Sequence, residues 1–244
     1  MVRAGPYNGR RRYDMLRHTV LFIHRDTISE EQKLAMLRGL AFLRMECAGV
    51  RAGDYGPDLL GGSSPLRAVP PWKRTPRWRA RRAGPPSNYD VALHLDFEDE
   101  AGMAAYAADE VHRAVSRFND SVNVDELTAR VDWRYEGPPL TRRGLVRHTA
   151  MFVWVDDAPR AERSRALDAA RGLAKAPGVE RVTIGENVGT RAADFDWIVD
   201  VQIQHPDAAH GLVAGSLYAE AMAVIQSATK YEWTARVTHL MRGY

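Results

Sequence analysis

The sequence predicts an α+β protein built from two fused copies of one β-α-β-β-α-β unit, and three observations predict it. Short motifs recur at fixed offsets: Leu16-Arg17-His18-Thr19-Val20 returns as Val146-Arg147-His148-Thr149-Ala150, 130 positions later. Tyr89-Asp90 returns as Phe195-Asp196, and Thr128-Ala129-Arg130-Val131 returns unchanged as Thr234-Ala235-Arg236-Val237, both 106 positions later. Apolar periodicity switches between two and 3.6 residues in the same order in both copies. The difference between the offsets of 130 and 106, 24 residues, falls between Arg51 and Ser87, where seven of the 13 prolines lie, so the first copy carries an insertion.

The elements follow in order. Arg17 to His24 alternates sides with β-branched and aromatic residues and reads as a strand. Ser29-Glu30-Glu31-Gln32 has the spacing of a capping box, opening a helix whose apolar positions Leu34, Leu37, Leu40 and Ala41 recur to about Arg44. A short strand near Val50 precedes the insertion. Tyr89 to Phe97 is a strand with Tyr89, Val91, Leu93, Leu95 and Phe97 on one face, a second helix runs from about Asp99 to Phe118, and Leu127 to Tyr135 is the closing strand. The second copy predicts strands at 147–155, 179–188, 195–204 and 231–240 and helices at 159–175 and 207–227. This order is the ferredoxin-like unit. Its sheet carries helices on one face only, so each copy can cover the other, giving an intramolecular dimeric α/β barrel. The boundaries are a tail at 1–15, a first domain at 16–136 with its insertion at about 51–87, a linker at 137–145 stiffened by Pro138-Pro139, and a second domain at 146–244.

Composition excludes several classes. In 244 residues, 45% are hydrophobic and 27% charged, enough apolar material for a real core. No apolar run approaches the roughly 18 residues that cross a bilayer, so no membrane partner is expected. The first residues show no secretory signal, and the single Cys47 allows no internal disulfide; both fit a cytoplasmic location. The formal charge of +3 conceals a basic window, Arg67 to Arg82, with seven cations and no acid; without it the chain has 27 basic against 31 acidic residues, net −4. Trp72 and Trp78 lie in that window. It reads as a solvated loop, as a contact for an anionic ligand or nucleic acid, or as a lid over a pocket. No RNP-type run accompanies it, and the sheet face is expected to be buried, so nucleic acid is an unlikely partner.

Eight histidines need sorting. His205 and His210 lack obvious third and fourth ligands and read as solvated or helix-start residues, so no metal is expected. His18 shares a strand face with Val20 and Phe22. Tyr106 and His112 fall on the second helix and Asp132 on the last strand, and this fold can bring all four to one pocket between sheet and helices. An imidazole suits base catalysis, since its ordinary pKa of about 6.5 lies near working pH. A carboxylate on its other nitrogen fixes the tautomer, and a tyrosine hydroxyl can donate to a developing enolate oxygen.

On these residues both copies resemble the Dabb family, the stress-responsive A/B barrel proteins. The features carrying the resemblance are Arg17-His18-Thr19-Val20-Leu21-Phe22, Tyr89-Asp90-Val91-Ala92-Leu93, and Tyr106 followed six residues later by His112. It covers about 85% of the chain, excluding the tail, linker and insertion. The first copy is similar to polyketide cyclases of the olivetolic acid cyclase type. That implies an intramolecular aldol condensation of a β-polycarbonyl substrate without a cofactor, with His112 as base, Tyr106 as its polarising partner, Asp132 as orienting carboxylate and His18 positioning the substrate. Alternatives within the resemblance are a non-catalytic protein binding a small molecule or partner, and a cofactor-free monooxygenase of the antibiotic-biosynthesis type. The chain departs from the family where Asp109-Glu110 stands in place of His-Pro. A helix continuous through that point would turn Tyr106 and His112 roughly 240° apart. In the second copy Leu212, Tyr218 and Thr238 occupy the positions of Tyr106, His112 and Asp132, and only His148 matches His18. One active site per chain is therefore expected, in a pseudo-dimer that can pair again with a second chain.

Overall fold

The computed structural model describes residues 14–60, 87–139, 141–189 and 195–242. The tail and the basic Trp-bearing window lie outside them. The first unit is β1 (Asp14–Phe22), α1 (Glu30–Glu46), β2 (Val50–Pro57), β3 (Ser87–Asn88), β4 (Val91–Phe97), α2 (Glu100–Ala108), α3 (Glu110–Val122) and β5 (Ala129–Glu136). The second is β6 (Val146–Phe152), α4 (Arg160–Gly172), β7 (Val179–Glu186), β8 (Trp197–Ile203), α5 (Pro206–Ala214), α6 (Ser216–Ala228) and β9 (Ala235–Leu240). Each unit forms a four-stranded antiparallel sheet, in the orders β2-β4-β1-β5 and β9-β6-β8-β7, and β3 adds to β9 as a short parallel edge.

Alternation along the strands divides the core into three layers. From β1, Leu16, Val20 and Phe22 face α1–α3, while Met15, Leu21 and Ile23 face the opposite sheet. A matching helix-side cluster fills the second unit. The layer between the sheets is partly ionic. Arg17 grips Asp96 through Nε and Nη2, both at 2.7 Å, and reaches Asp200 at 3.2 Å. Arg147 bridges Asp200 and, at 3.0 Å, Asp54, which also takes a hydrogen bond from His239 Nε2 at 2.7 Å. All these side chains are buried. The network spans both units and joins them across the sheet–sheet gap.

The sheets meet at both edges. Val188 N donates to Asp132 O at 2.8 Å and Trp133 bridges Asn187; on the other side Leu59 N donates to Thr238 O at 2.6 Å. A Cβ on Gly185 would lie 2.2 Å from the Trp133 ring, so only glycine lets β7 pass over that indole. Among the described residues these are isolated bonds and bridges together with the two-residue β3–β9 pairing, so two facing sheets are present and no continuous ladder closes them into a barrel.

Several sequence expectations need correction. β2 extends to Pro57 because it pairs along the full length of β4, so the insertion leaves later than Arg51. Tyr89 packs in the layer between the sheets, and not with Val91, because β4 begins after it. Ser29 and Gln32 do form the capping box, but α1 buries Met36, Leu40 and Leu43, leaving Leu34 54% exposed. The single second helix is broken in each unit, at Asp109 and at Gly215. No single described helix is long and apolar enough to cross a membrane, and the apolar α5–α6 pair bends by 55°.

Candidate active site

Strand register builds the site. β1 and β5 are antiparallel neighbours in which His18 lies directly opposite Asp132. Their side chains project to the helix side, and His18 Nδ1 meets Asp132 Oδ1 at 2.5 Å with both residues buried. As a carboxylate Asp132 only accepts, so Nδ1 carries the proton and Nε2 is the ring nitrogen left to act as a base. The carboxylate expected behind His112 therefore stands behind His18. Cross-strand pairing sets this, and sequence spacing does not reveal it.

The break at Asp109 places the other two residues. Its extended conformation (φ −66°, ψ 137°) ends α2, and its side chain accepts from Val111 N at 2.8 Å to cap α3. It also accepts from Ala48 N at 3.2 Å, tying the break to the end of α1. The chain turn overturns the continuous-helix expectation and sets the Tyr106 and His112 rings 4.2 Å apart, centroid to centroid. The Tyr106 ring lies 6.3 Å from that of His18. His112 Nε2 pairs with Ser116 Oγ at 3.1 Å, one helical turn on.

His18, Tyr106 and His112 line a cavity of about 330 Å³, with Val20, Phe22 and Leu93 supplying its apolar wall. Arg130 and Asp125, paired at 3.3 Å, also line it. Sequence reasoning missed Ser116, Asp125 and Arg130. Two signals were present: Ser116 is four residues from His112 on one helix, and Arg130 is the charged member of the repeated Thr-Ala-Arg-Val motif.

Several other titratable groups have different surroundings. Burial, then Asp109, pushes the Cys47 thiol up to about 11, so it is not a nucleophile at neutral pH. His205 caps α5 by accepting from Ala208 N at 3.2 Å. Asp54, His94 and His239 place three ligating atoms within 4.8 Å of one another between the sheets. Burial alone would raise the Asp54 carboxyl, but Arg147 and the hydrogen bond from His239 hold it well below the usual range. Burial, then Arg147, also pushes His94 well below an ordinary histidine. Arg147 is the cation that pairs with Asp54 in this cluster.

In the second unit the same positions hold different chemistry. His148 Nδ1 pairs with Thr238 Oγ1 at 2.8 Å and Nε2 with Tyr218 OH at 2.9 Å. Burial, then the charge of Arg236, lowers the His148 pKa to about 3, so the ring is neutral at physiological pH.

No family model matches the sequence, and no curated protein matches it. Solved structures match the fold. An "anthrone oxidase-like protein" superposes with a TM-score of 0.61 at 10% identity, over 94% of this chain and 91% of that one. A "putative monooxygenase" from Fusobacterium nucleatum gives 0.52 at 9% identity, over 95% and 93% of the two chains. Another from Lactobacillus acidophilus gives 0.50 at 12% identity, over 95% and 94%. At such identities the likeness is one of fold: the chain has the paired ferredoxin-like architecture that these structures share.

Proposed function

We propose that the first-unit cavity is the active site of an enzyme that removes a proton from an acidic carbon of a hydroxyaromatic or β-polycarbonyl substrate and delivers the carbanion to dioxygen. The observation that carries this reading is the buried His18–Asp132 pair, 2.5 Å apart, behind a ring that lines a partly apolar cavity. His18 Nε2 takes the proton, and Asp132 holds the tautomer and steadies the imidazolium. Tyr106 and His112 stand beside it to stabilise the developing enolate oxygen. The carbanion reduces dioxygen and combines with it as a hydroperoxide; loss of water then leaves a new carbonyl, so CH2 plus O2 becomes C=O plus H2O. The names of the three matching structures support dioxygen as the electrophile. A second reading, aldol cyclisation, has its own support: all the residues that the Dabb cyclase resemblance implies stand at this site. There the electrophile is a carbonyl carbon of the same substrate.

Anthrone in air is the test. The expected result is oxygen uptake above the spontaneous rate, one O2 per anthraquinone formed, falling by about 10²–10⁴-fold in His18→Asn. Undiminished turnover by that variant removes His18 as the base. Ring closure of a linear polyketide mimic at equal rates in air and under argon transfers the site to the second reading.

A further inference from the structure

One face of α3 is polar where it meets the first-unit cavity. His112, Ser116 and Asn119, at i, i+4 and i+7, stand on one side of the helix, and all three line the cavity with His18. The repeat offset of 106 places Tyr218, Met222 and Ile225 at the same positions of α6. There they are buried in the helix-side core of the second unit. The fold therefore accepts largely apolar side chains on this face, and packing does not require the polar stripe of the first unit.

Ser116 has a use within the site, since its Oγ pairs with His112 Nε2 at 3.1 Å. Asn119 differs. It is only 5% exposed, and its Oδ1 is buried with no hydrogen-bond partner among the described residues. Its backbone carbonyl accepts from Asn123 N and Nδ2, both at 2.9 Å, so the end of α3 is closed without the Asn119 side chain. A buried amide oxygen left unpaired destabilises a fold, and the isoleucine at this position of the second unit carries no such penalty. A ligand hydroxyl both donates and accepts, so it can pair with either end of the amide. Seven residues at 1.5 Å each put Asn119 about 10 Å along the helix axis from His112, well apart from the Tyr106–His112 pair. An apolar cavity of about 150 Å³ already takes up a benzene ring, so one of about 330 Å³ has room for two fused rings.

We propose that Asn119 is a specificity residue of this site: its amide hydrogen-bonds a hydroxyl of a fused-ring aromatic substrate, on the ring remote from the carbon that His18 deprotonates. The inference rests on the reading of this cavity as an active site, but its readout is binding alone, so its failure and failure of the anthrone assay are separate results. The probes are 2-naphthol and 2,6-dihydroxynaphthalene, which differ by one hydroxyl on the far ring, titrated into the full chain by their own fluorescence. The diol is expected to bind about fivefold more tightly or better, the scale of one hydrogen bond to a buried and otherwise unpaired group. Asn119→Leu, close to asparagine in volume, should erase that preference while holding 2-naphthol within about twofold of the parent, and should melt no lower than the parent because an unpaired polar group is gone. Asn119→Ala should lose the preference as well, and His18→Asn should keep it. Failure of both naphthols to bind, equal binding of the two by the parent, a preference retained in both Asn119 variants, or a preference lost in His18→Asn would each overturn the proposal. A fall of several degrees in the melting temperature of Asn119→Leu would overturn it too, by making the amide a structural group.

Discussion

His18 and Asp132 are 114 positions apart in sequence and meet only because two antiparallel strands place them opposite each other. Both residue types were legible as candidates from the sequence, but their partnership was not. Spacing orders residues along the chain, whereas register depends on how whole strands align. The repeat holds the clearer signal: His148 pairs with Thr238 as His18 pairs with Asp132, so one swap of carboxylate for hydroxyl separates the two sites. That swap has a measurable consequence in His148. Its folded pKa, about 3, lies below the ordinary 6.5. Between those values the unfolded chain binds a proton that the native chain does not. This residue therefore lowers stability as pH falls through that window, by up to about 1.4 kcal/mol per pH unit, and has no such effect above it. Urea unfolding of His148→Gln should show a shallower acid dependence than the parent between pH 6 and 4; parallel curves would contradict the assignment.

At the scale of elements, periodicity located strands and helices well and misjudged their ends and faces. α1 shows why: Leu34 fits a helical stripe, yet the burying face is set by the sheet beneath, which selects Met36, Leu40 and Leu43. The break at Asp109 was the consequential omission. Asp is an N-cap residue, and Asp109 ends one helix while capping the next without any proline. Glu110 is the first residue of α3, where a backbone N–H has no intrahelical acceptor, and Asp109 already holds an extended conformation that proline tolerates before it. Glu110→Pro should therefore fold normally, with a melting temperature within a few degrees of the parent, and retain the Tyr106–His112 ring pairing. A collapse of stability, read by thermal unfolding, would show that the break does not have this geometry.

At the scale of the molecule, the repeat made the paired-sheet architecture legible, but the content of the gap was not. The arginine preceding the histidine recurs in both copies, and the structure gives it a use: Arg17 and Arg147 form ion pairs with Asp54, Asp96 and Asp200 between the sheets. Removing one partner of such a network leaves carboxylates buried without their cation. Arg147→Met should cost about 3–5 kcal/mol in denaturant unfolding; a loss under about 1 kcal/mol would mean the network contributes little. The seam also serves the candidate site, since the backbone of Asp132 accepts from Val188 of the second unit, so each half steadies the other's strand edge. The central claim is that Asp132 holds His18 with its proton on Nδ1 and its base on Nε2. Nitrogen-15 NMR of the histidine rings tests this most directly. The account predicts a neutral Nδ1–H tautomer for His18 whose downfield proton disappears in Asp132→Asn, whereas a ring carrying its proton on Nε2, indifferent to that substitution, would contradict it.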